Sequence, residues 1–271
     1  MTTGLRYVYA VCRPFGAALQ SQLTGVAGAP PKLLHHRGLV AVVSAVPERD
    51  FAEEALRAHL EDLEWLTATA RAHQGVIDAL TTVTTPLPLR LGTVFRDDSG
   101  VRMMLEAREG DFLRTLDRLA GRVEWGVKVY AESSTAEEPA ASPEAAGSGE
   151  AAPEAENGPA AGKAMSGRDY LRRRSRSVRE HESGLRRAEE FADRLHERLA
   201  ARAEDSRLHA LQSAALSGAS GRNVLNAAYL VPRAQSEEFV EIVDRTKDEM
   251  PGVRVELTGP WAAYSFAGGK P

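Results

Sequence analysis

Apolar positions recur along this chain with two different periods, and each change of period marks an element. LRYVYAV (5–11) is rich in β-branched and aromatic residues and predicts a strand. A stretch containing Gly and Pro separates it from LVAVVSAV (39–46), a near-continuous apolar run suited to a central strand, whose exit is punctuated by Pro47 and Asp50. Over residues 51–80 the period becomes three and four. Leu56, Leu60, Leu63, Leu66, Ala70, His73, Ile77 and Leu80 form one stripe and predict a single long helix. TTVTTPLPLRLGTVF (81–95) carries Pro86 and Pro88, which argue against a regular central strand there. Leu89, Leu91, Val94 and Phe95 supply apolar contacts, with Phe95 expected in the core, and Arg90 is open to a surface ion pair. MMLEARE (103–109) and FLRTLDRLAG (112–121) have helical patterns, the second capped by Gly121. VEWGVKVYA (123–131) is a strand that closes a first unit, residues 1–130. Strands at both ends with helices between them predict an α+β sandwich, helices on one face of a mostly antiparallel sheet.

The pattern then stops. Residues 131–163 contain no Val, Ile, Leu, Phe, Tyr or Trp, and every charge before Lys163 is Glu. Such a segment buries too little apolar area to offset its ordering entropy, and a flexible acidic linker is expected. Residues 167–205 resume with Leu171, Val178, Leu185, Ala192 and Leu199 spaced by seven, and with Ala188 and Leu195 as a second row. This predicts a helix of roughly 55 Å with a narrow packing stripe, bent at Gly184. NVLNAAYLVP (223–232), EEFVEIVDRTKDEM (237–250) and VRVELTG (253–259) read as strand, helix and strand, a second and smaller α+β unit over 164–258. In the tail, 259–271, Gly259 and Pro260 are expected to turn the chain out of the strand. A fraying end has no use for Trp261, Tyr264 and Phe266, because exposed aromatics promote association. The tail is therefore expected to pack on the long helix or the first unit and brace the two halves. The alternative is that its rings form a docking patch for a partner.

Charge and composition narrow the function. The chain has 34 Lys and Arg against 38 Asp and Glu, a net charge of −4, which argues against nucleic acid as its main partner. One cysteine, Cys12, permits no internal disulfide and fits a reducing cytoplasm. No stretch approaches the roughly 18 apolar residues of a membrane span, and no signal design opens the chain, so a soluble cytoplasmic protein is expected. The seven histidines include no pair at helical metal-ligand spacing, and His73 reads as a half-buried, satisfied histidine. No P-loop, nucleophile elbow or dinucleotide fingerprint occurs, and Glu53/Glu54 and Glu189/Glu190 fall on solvated helix faces. No catalytic, metal or cofactor site and no small-molecule substrate is expected. RDYLRRRSRSVR (168–179), with six arginines including Arg172, Arg173 and Arg174, reads either as a binding face for an acidic partner or nucleic acid, or as a solvated helix face offset by Glu180, Glu182, Glu189 and Glu190. Tyr170 is its single aromatic, so base stacking is not indicated.

Several segments together resemble the gas vesicle F/L protein family. They are YVYAV, LVAVVSAV, HQGVIDAL with TPLPLRLGTVF, VEWGVKVY, GRDYLRRR, NVLNAAYLV and LTGPWAAYSF. Where the family commonly has two prolines, this chain has Ala262 and Ala263, which loosens the backbone there. The resemblance implies two modified ferredoxin-like domains. It also implies a non-enzymatic, cytoplasmic and vesicle-associated role in gas vesicle assembly, with the small hydrophobic shell protein and other accessory vesicle proteins as partners. Two other classes stay open at this point: a ferredoxin-like ligand-binding or oxidoreductase module, and a nucleic-acid-binding regulator built on the arginine run.

Overall fold

β1 (Leu5–Cys12) sits at the centre of the first sheet, and every residue from Tyr7 to Cys12 is buried. β3 (Leu39–Val46) runs antiparallel on one side of it, with β2 (Lys32–His36) outside β3. On the other side lie two-residue strands, β4 (Leu87–Pro88) and β5 (Val94–Phe95). Pro86 and Pro88 confine pairing there to short pieces, as a residue without an N–H must. The molecule is a computed structural model, and it describes residues 4–16, 19, 23–59, 61–132, 167–212 and 221–268.

β1 and β3 are apolar at almost every position, so both faces of this sheet demand cover. Tyr7, Tyr9, Cys12, Val42 and Val46 meet α3 (Leu63–Thr81) through Val76, Ile77 and Leu80. Val8, Val11, Ala41 and Val43 meet α4 (Asp98–Ala107) and α5 (Glu109–Leu119) through Val101, Leu105, Phe112 and Leu116. Helices therefore lie on both faces, not one. The single helix expected over 51–80 is divided into α1 (Glu48–Phe51), α2 (Glu53–His59) and α3. Ala52 is extended, at φ −62° and ψ 155°. The Asp62 carboxylate accepts from the Glu64 and Trp65 N–H groups at 2.9 and 3.2 Å, which starts a new helix. Leu63, on the expected apolar stripe, is 77% exposed. Gly121, at φ +71°, follows α5 and supplies the left-handed turn expected of a C-cap.

β6 (Arg122–Ala131) does not close the first sheet. It is a central strand of a second one, paired antiparallel with β8 (Arg222–Pro232) and β9 (Val253–Trp261), while β7 (Asp205–Leu208) pairs with the outer side of β8. The order β7-β8-β6-β9, with α6 (Gly167–Ala200) after β6 and α7 (Ser236–Thr246) after β8, gives the strand–helix–strand–strand–helix–strand arrangement of a ferredoxin-like unit. One face of this sheet packs Val123, Trp125, Val127, Val129 and Tyr229 against Phe191, Leu195 and Leu199 of α6 and Phe239 and Val243 of α7. From the other face, Ala228 and Leu230 enter the cluster built on β1, β3, α4 and α5. The two sheets thus share a core. α6 runs unbroken through Gly184 and ends at Ala200, with Asp205 already in β7. Residues 133–166, most of the expected linker, lie outside the described residues; Glu132 still donates its N–H to the Gly252 carbonyl at 2.9 Å.

Candidate functional site

The chain does not leave β9 at Gly259 and Pro260. The strand continues to Trp261, which pairs with Glu124, and the register shifts between Glu124 and Gly126. Gly259 lies at φ +127°, and a Cβ there would sit 2.8 Å from the Glu124 carbonyl oxygen and 3.0 Å from the Trp125 ring. Only glycine fits both demands. Beyond the strand, Ala262 and Ala263 are buried, and a single 3₁₀ turn, Tyr264–Phe266, carries the two remaining aromatics.

This turn is fastened from three sides. Ser265 donates its N–H and its hydroxyl to the Glu124 carboxylate at 2.8 and 2.7 Å. Burial pushes the Glu124 carboxyl up from its ordinary range, while the Ser265 hydrogen bonds and the charges of His209 and Arg207 oppose that shift. His209 Nε2 lies 3.1 Å from Ser265 Oγ. Arg118 of α5 donates to the Phe266 carbonyl and pairs with Asp205 of β7 at 3.4 Å. The Tyr264 hydroxyl donates to Gln74 Oε1 of α3 at 3.2 Å. Ala262 joins the cluster under α3, whereas Ala263 and Phe266 join the cluster shared by the two sheets. Phe266 is fully buried and Trp261 is 40% exposed. The tail therefore rests on the first sheet and on α3 and α5, not on the long helix, and its three aromatics divide: Tyr264 and Phe266 inward, Trp261 toward solvent.

Beneath Tyr264 lies a buried polar pair that the chain's periodicity did not single out. His73 is 3% exposed, and its Nδ1 is 2.9 Å from the Tyr7 hydroxyl. That oxygen also accepts the Gly92 N–H at 3.3 Å. Nε2 is buried without a partner. Burial pulls the ring down from 6.5 to about 4 and keeps it neutral. The missed signal was the alternation of Tyr7 and Tyr9 in β1, which sends two phenols to the face that α3 covers. Cys12, on that same face, is buried and has its thiol pushed up to about 12.

Two exposed features remain. An open groove of about 820 Å³ runs beside β5, with Leu5, Phe51, Leu56 and Phe95 on its walls and Glu48 and Glu53 at its rim. Phe95 is half-buried: it packs against the cluster built on β1, β3, α4 and α5 and also forms part of the groove wall. Arg90 is exposed; its carbonyl accepts from the Thr93 N–H and hydroxyl, and its guanidinium makes no ion pair among the described residues. Arg172 and Arg174 are exposed on α6, and the side chain of Arg173 lies outside the described residues. α6 covers the face of the second sheet opposite to the one that Glu124 shares with Leu230, so the structure does not bring these arginines to the tail. Among the described residues no group of three His, Cys, Asp or Glu side chains is placed to hold a metal, and no helix is long and apolar enough to cross a membrane.

Comparison with known proteins places this architecture. The family described as gas vesicle synthesis protein GvpL/GvpF matches residues 5–268. Gas vesicle protein L of Streptomyces sp. (strain CB03234) is 55% identical over 267 residues, 98% of this chain and 94% of that protein. Gas vesicle protein F of the same organism is 28% identical over 264 residues, 96% of this chain and 98% of that protein. The crystal structure of gas vesicle protein GvpF from Microcystis aeruginosa has the same fold, with a TM-score of 0.65 at 20% identity, covering 98% of this chain and 100% of that one.

Proposed function

Because the chain belongs to the gas vesicle synthesis protein GvpL/GvpF family, we propose that it serves gas vesicle assembly in the cytoplasm as a non-enzymatic factor that binds the hydrophobic shell protein, or a nucleation complex containing it. The observation that carries this reading is the extent of the family match, residues 5–268, which takes in both sheets, the long helix and the tail. Physical chemistry supports the finer part. A shell subunit of a gas-filled particle presents apolar surface and assembles through strand edges, and unpaired edges are aggregation templates. A protein that holds such a subunit needs uncovered apolar surface of its own. The groove offers it through the half-buried Leu5, Leu56 and Phe95, and so does Trp261.

The test is co-purification from cells making both proteins. The tagged chain should bring down the shell protein, and Leu56→Glu in the groove wall should abolish recovery while the variant's own melting temperature stays within a few degrees. Failure of the unaltered chain to recover shell protein, alone or with other vesicle proteins present, overturns the reading.

A further inference from the structure

We propose that the groove beside β5 is a strand-capture site. It takes an extended segment of a partner protein, apolar at alternate positions and carrying Lys or Arg, which adds to the first sheet at the outer edge of β5. This deepens the assembly reading above and rests on it for the identity of the donor.

β5 is an end of its sheet. It pairs with β1 alone, Arg6 opposite Phe95 and Tyr7 opposite Val94. The Val8 N–H donates to the Thr93 carbonyl at 2.9 Å, which fixes the phase of the ladder. Thr93 and Phe95 turn their backbone groups toward β1, and Val94, out of phase with them, turns its N–H and C=O away. Neither group of Val94 has a partner among the described residues. The groove follows this edge: residues within 92–97 line it together with residues of α1 and α2 and with Leu5. A strand edge facing a helical wall is the geometry in which an extended peptide extends a sheet. Farther along the same side of β1, Pro86 and Pro88 deny N–H groups to a newcomer at β4, whereas 89–97 contains no proline.

Charge selects the occupant. Glu48, Glu53 and Asp97 line the groove and are exposed, against one base, Arg96. Glu53 keeps an exposed pair with Arg57 at 3.5 Å, and Asp97 caps α4 by accepting the Gly100 N–H at 2.9 Å. The chain's own residues 133–163, whose charges are all Glu before Lys163, would bring acid to acid and have no large apolar side chain to offer. A second copy adding at this edge would set the same three carboxylates against themselves, and they repel a nucleic acid as well. An extended segment presents alternate side chains to one face. With Val, Ile or Leu on that face it meets the half-buried Leu5, Leu56 and Phe95, and a flanking Lys or Arg meets the acidic rim while its backbone pairs with Val94.

Fluorescence anisotropy with the full chain tests it. The probe is a labelled synthetic strand of about six residues, Val alternating with Thr, between terminal lysines. It should bind. The same strand between glutamates should bind at least tenfold more weakly, and the double variant Glu48→Lys, Glu53→Lys should reverse that order. N-methylation of alternate amides strips the N–H groups from one edge of the probe at a time. One methylated set should abolish binding and the other should spare it, because only one edge of an added strand meets β5. Val94→Pro, at an N–H that β1 does not use, should weaken the probe at least tenfold with the melting temperature within a few degrees. Should that variant unfold, the methylated probes still decide. Loss of binding with both methylated sets, or with neither, overturns strand addition, and equal binding of the glutamate probe overturns the proposal on charge. So does a tenfold gain in affinity when residues 133–163 are deleted, which would make the chain's own acidic stretch the occupant. Self-association of the unaltered chain that Val94→Pro abolishes would assign the edge to a second copy and also overturn it. Shell-protein recovery undiminished by Val94→Pro sinks this proposal and leaves the assembly reading. Probe binding as expected with no shell protein recovered sinks that reading and leaves the groove standing.

Discussion

His73 shows how one side chain sets a pH dependence. Its ring is held neutral by burial, with the neutral phenols of Tyr7, Tyr9 and Tyr264 around it. The unfolded chain takes up a proton near 6.5 and the folded one only near 4. This contribution to stability is therefore complete above 6.5 and is lost as pH falls toward 4, about 2 kcal/mol between pH 7.5 and 5. Glu124 acts with the opposite sign, since its raised carboxyl retains a proton more readily in the folded state and favours folding as pH falls. Urea unfolding of the unaltered chain and of His73→Phe at both pH values separates the two. The unaltered chain should lose about 2 kcal/mol more than the variant, and equal losses would refute the assignment. Gly259 is the other residue whose environment is decisive. Gly259→Ala forces a side chain into positive φ and against the Trp125 ring, and should cost roughly 1–3 kcal/mol. Gly268→Ala, with nothing within 4 Å of its added carbon, should be neutral in the same melting experiment.

Among elements, the tail and the long helix separate what local sequence encodes from what it does not. Three aromatics in a chain end signalled attachment, but which ring turns inward depends on the register shift opposite Glu124, and no spacing of residues reports that. Phe266→Ala should cost about 3–5 kcal/mol, and Trp261→Ala about 1 kcal/mol or less, when both are measured by chemical denaturation; a larger loss at Trp261 would mean that it, not Phe266, anchors the tail. β1 and β3 were legible because they are apolar at nearly every position. The division of 51–80 was not, because the apolar stripe continues across a break made by the Asp62 side chain. Phe95 meets the core only with part of its ring and turns the rest to the groove, and no spacing of residues near two prolines reports that division. On α6 the seam was readable along its whole length, while the point where the sheet ceases to cover it is a property of the tertiary structure.

At the scale of the molecule, the apolar cluster that takes Val8, Leu105, Phe112, Leu230 and Phe266 from both sheets and the tail makes the halves interdependent. Thermal unfolding should show one transition by near- and far-ultraviolet circular dichroism alike; two separated transitions would contradict the shared core. The allegiance of β6 was invisible in the sequence, since its partners, such as Tyr229 opposite Trp125, lie far along the chain. A protease site engineered between 133 and 166 should therefore give two fragments that co-elute in native buffer and part only in denaturant, because the first carries a central strand of the second's sheet. Separation without denaturant would show that β6 does not belong there. The same arrangement has a consequence on the ribosome. β6 is translated early, but its neighbours β8 and β9 end at Pro232 and Trp261. At about 5–20 residues per second the strand waits roughly 5–20 s with both edges open, and roughly 6–26 s before the second edge is covered. Slowing translation of the intervening codons, with the protein sequence unchanged, lengthens that wait and should lower the soluble yield.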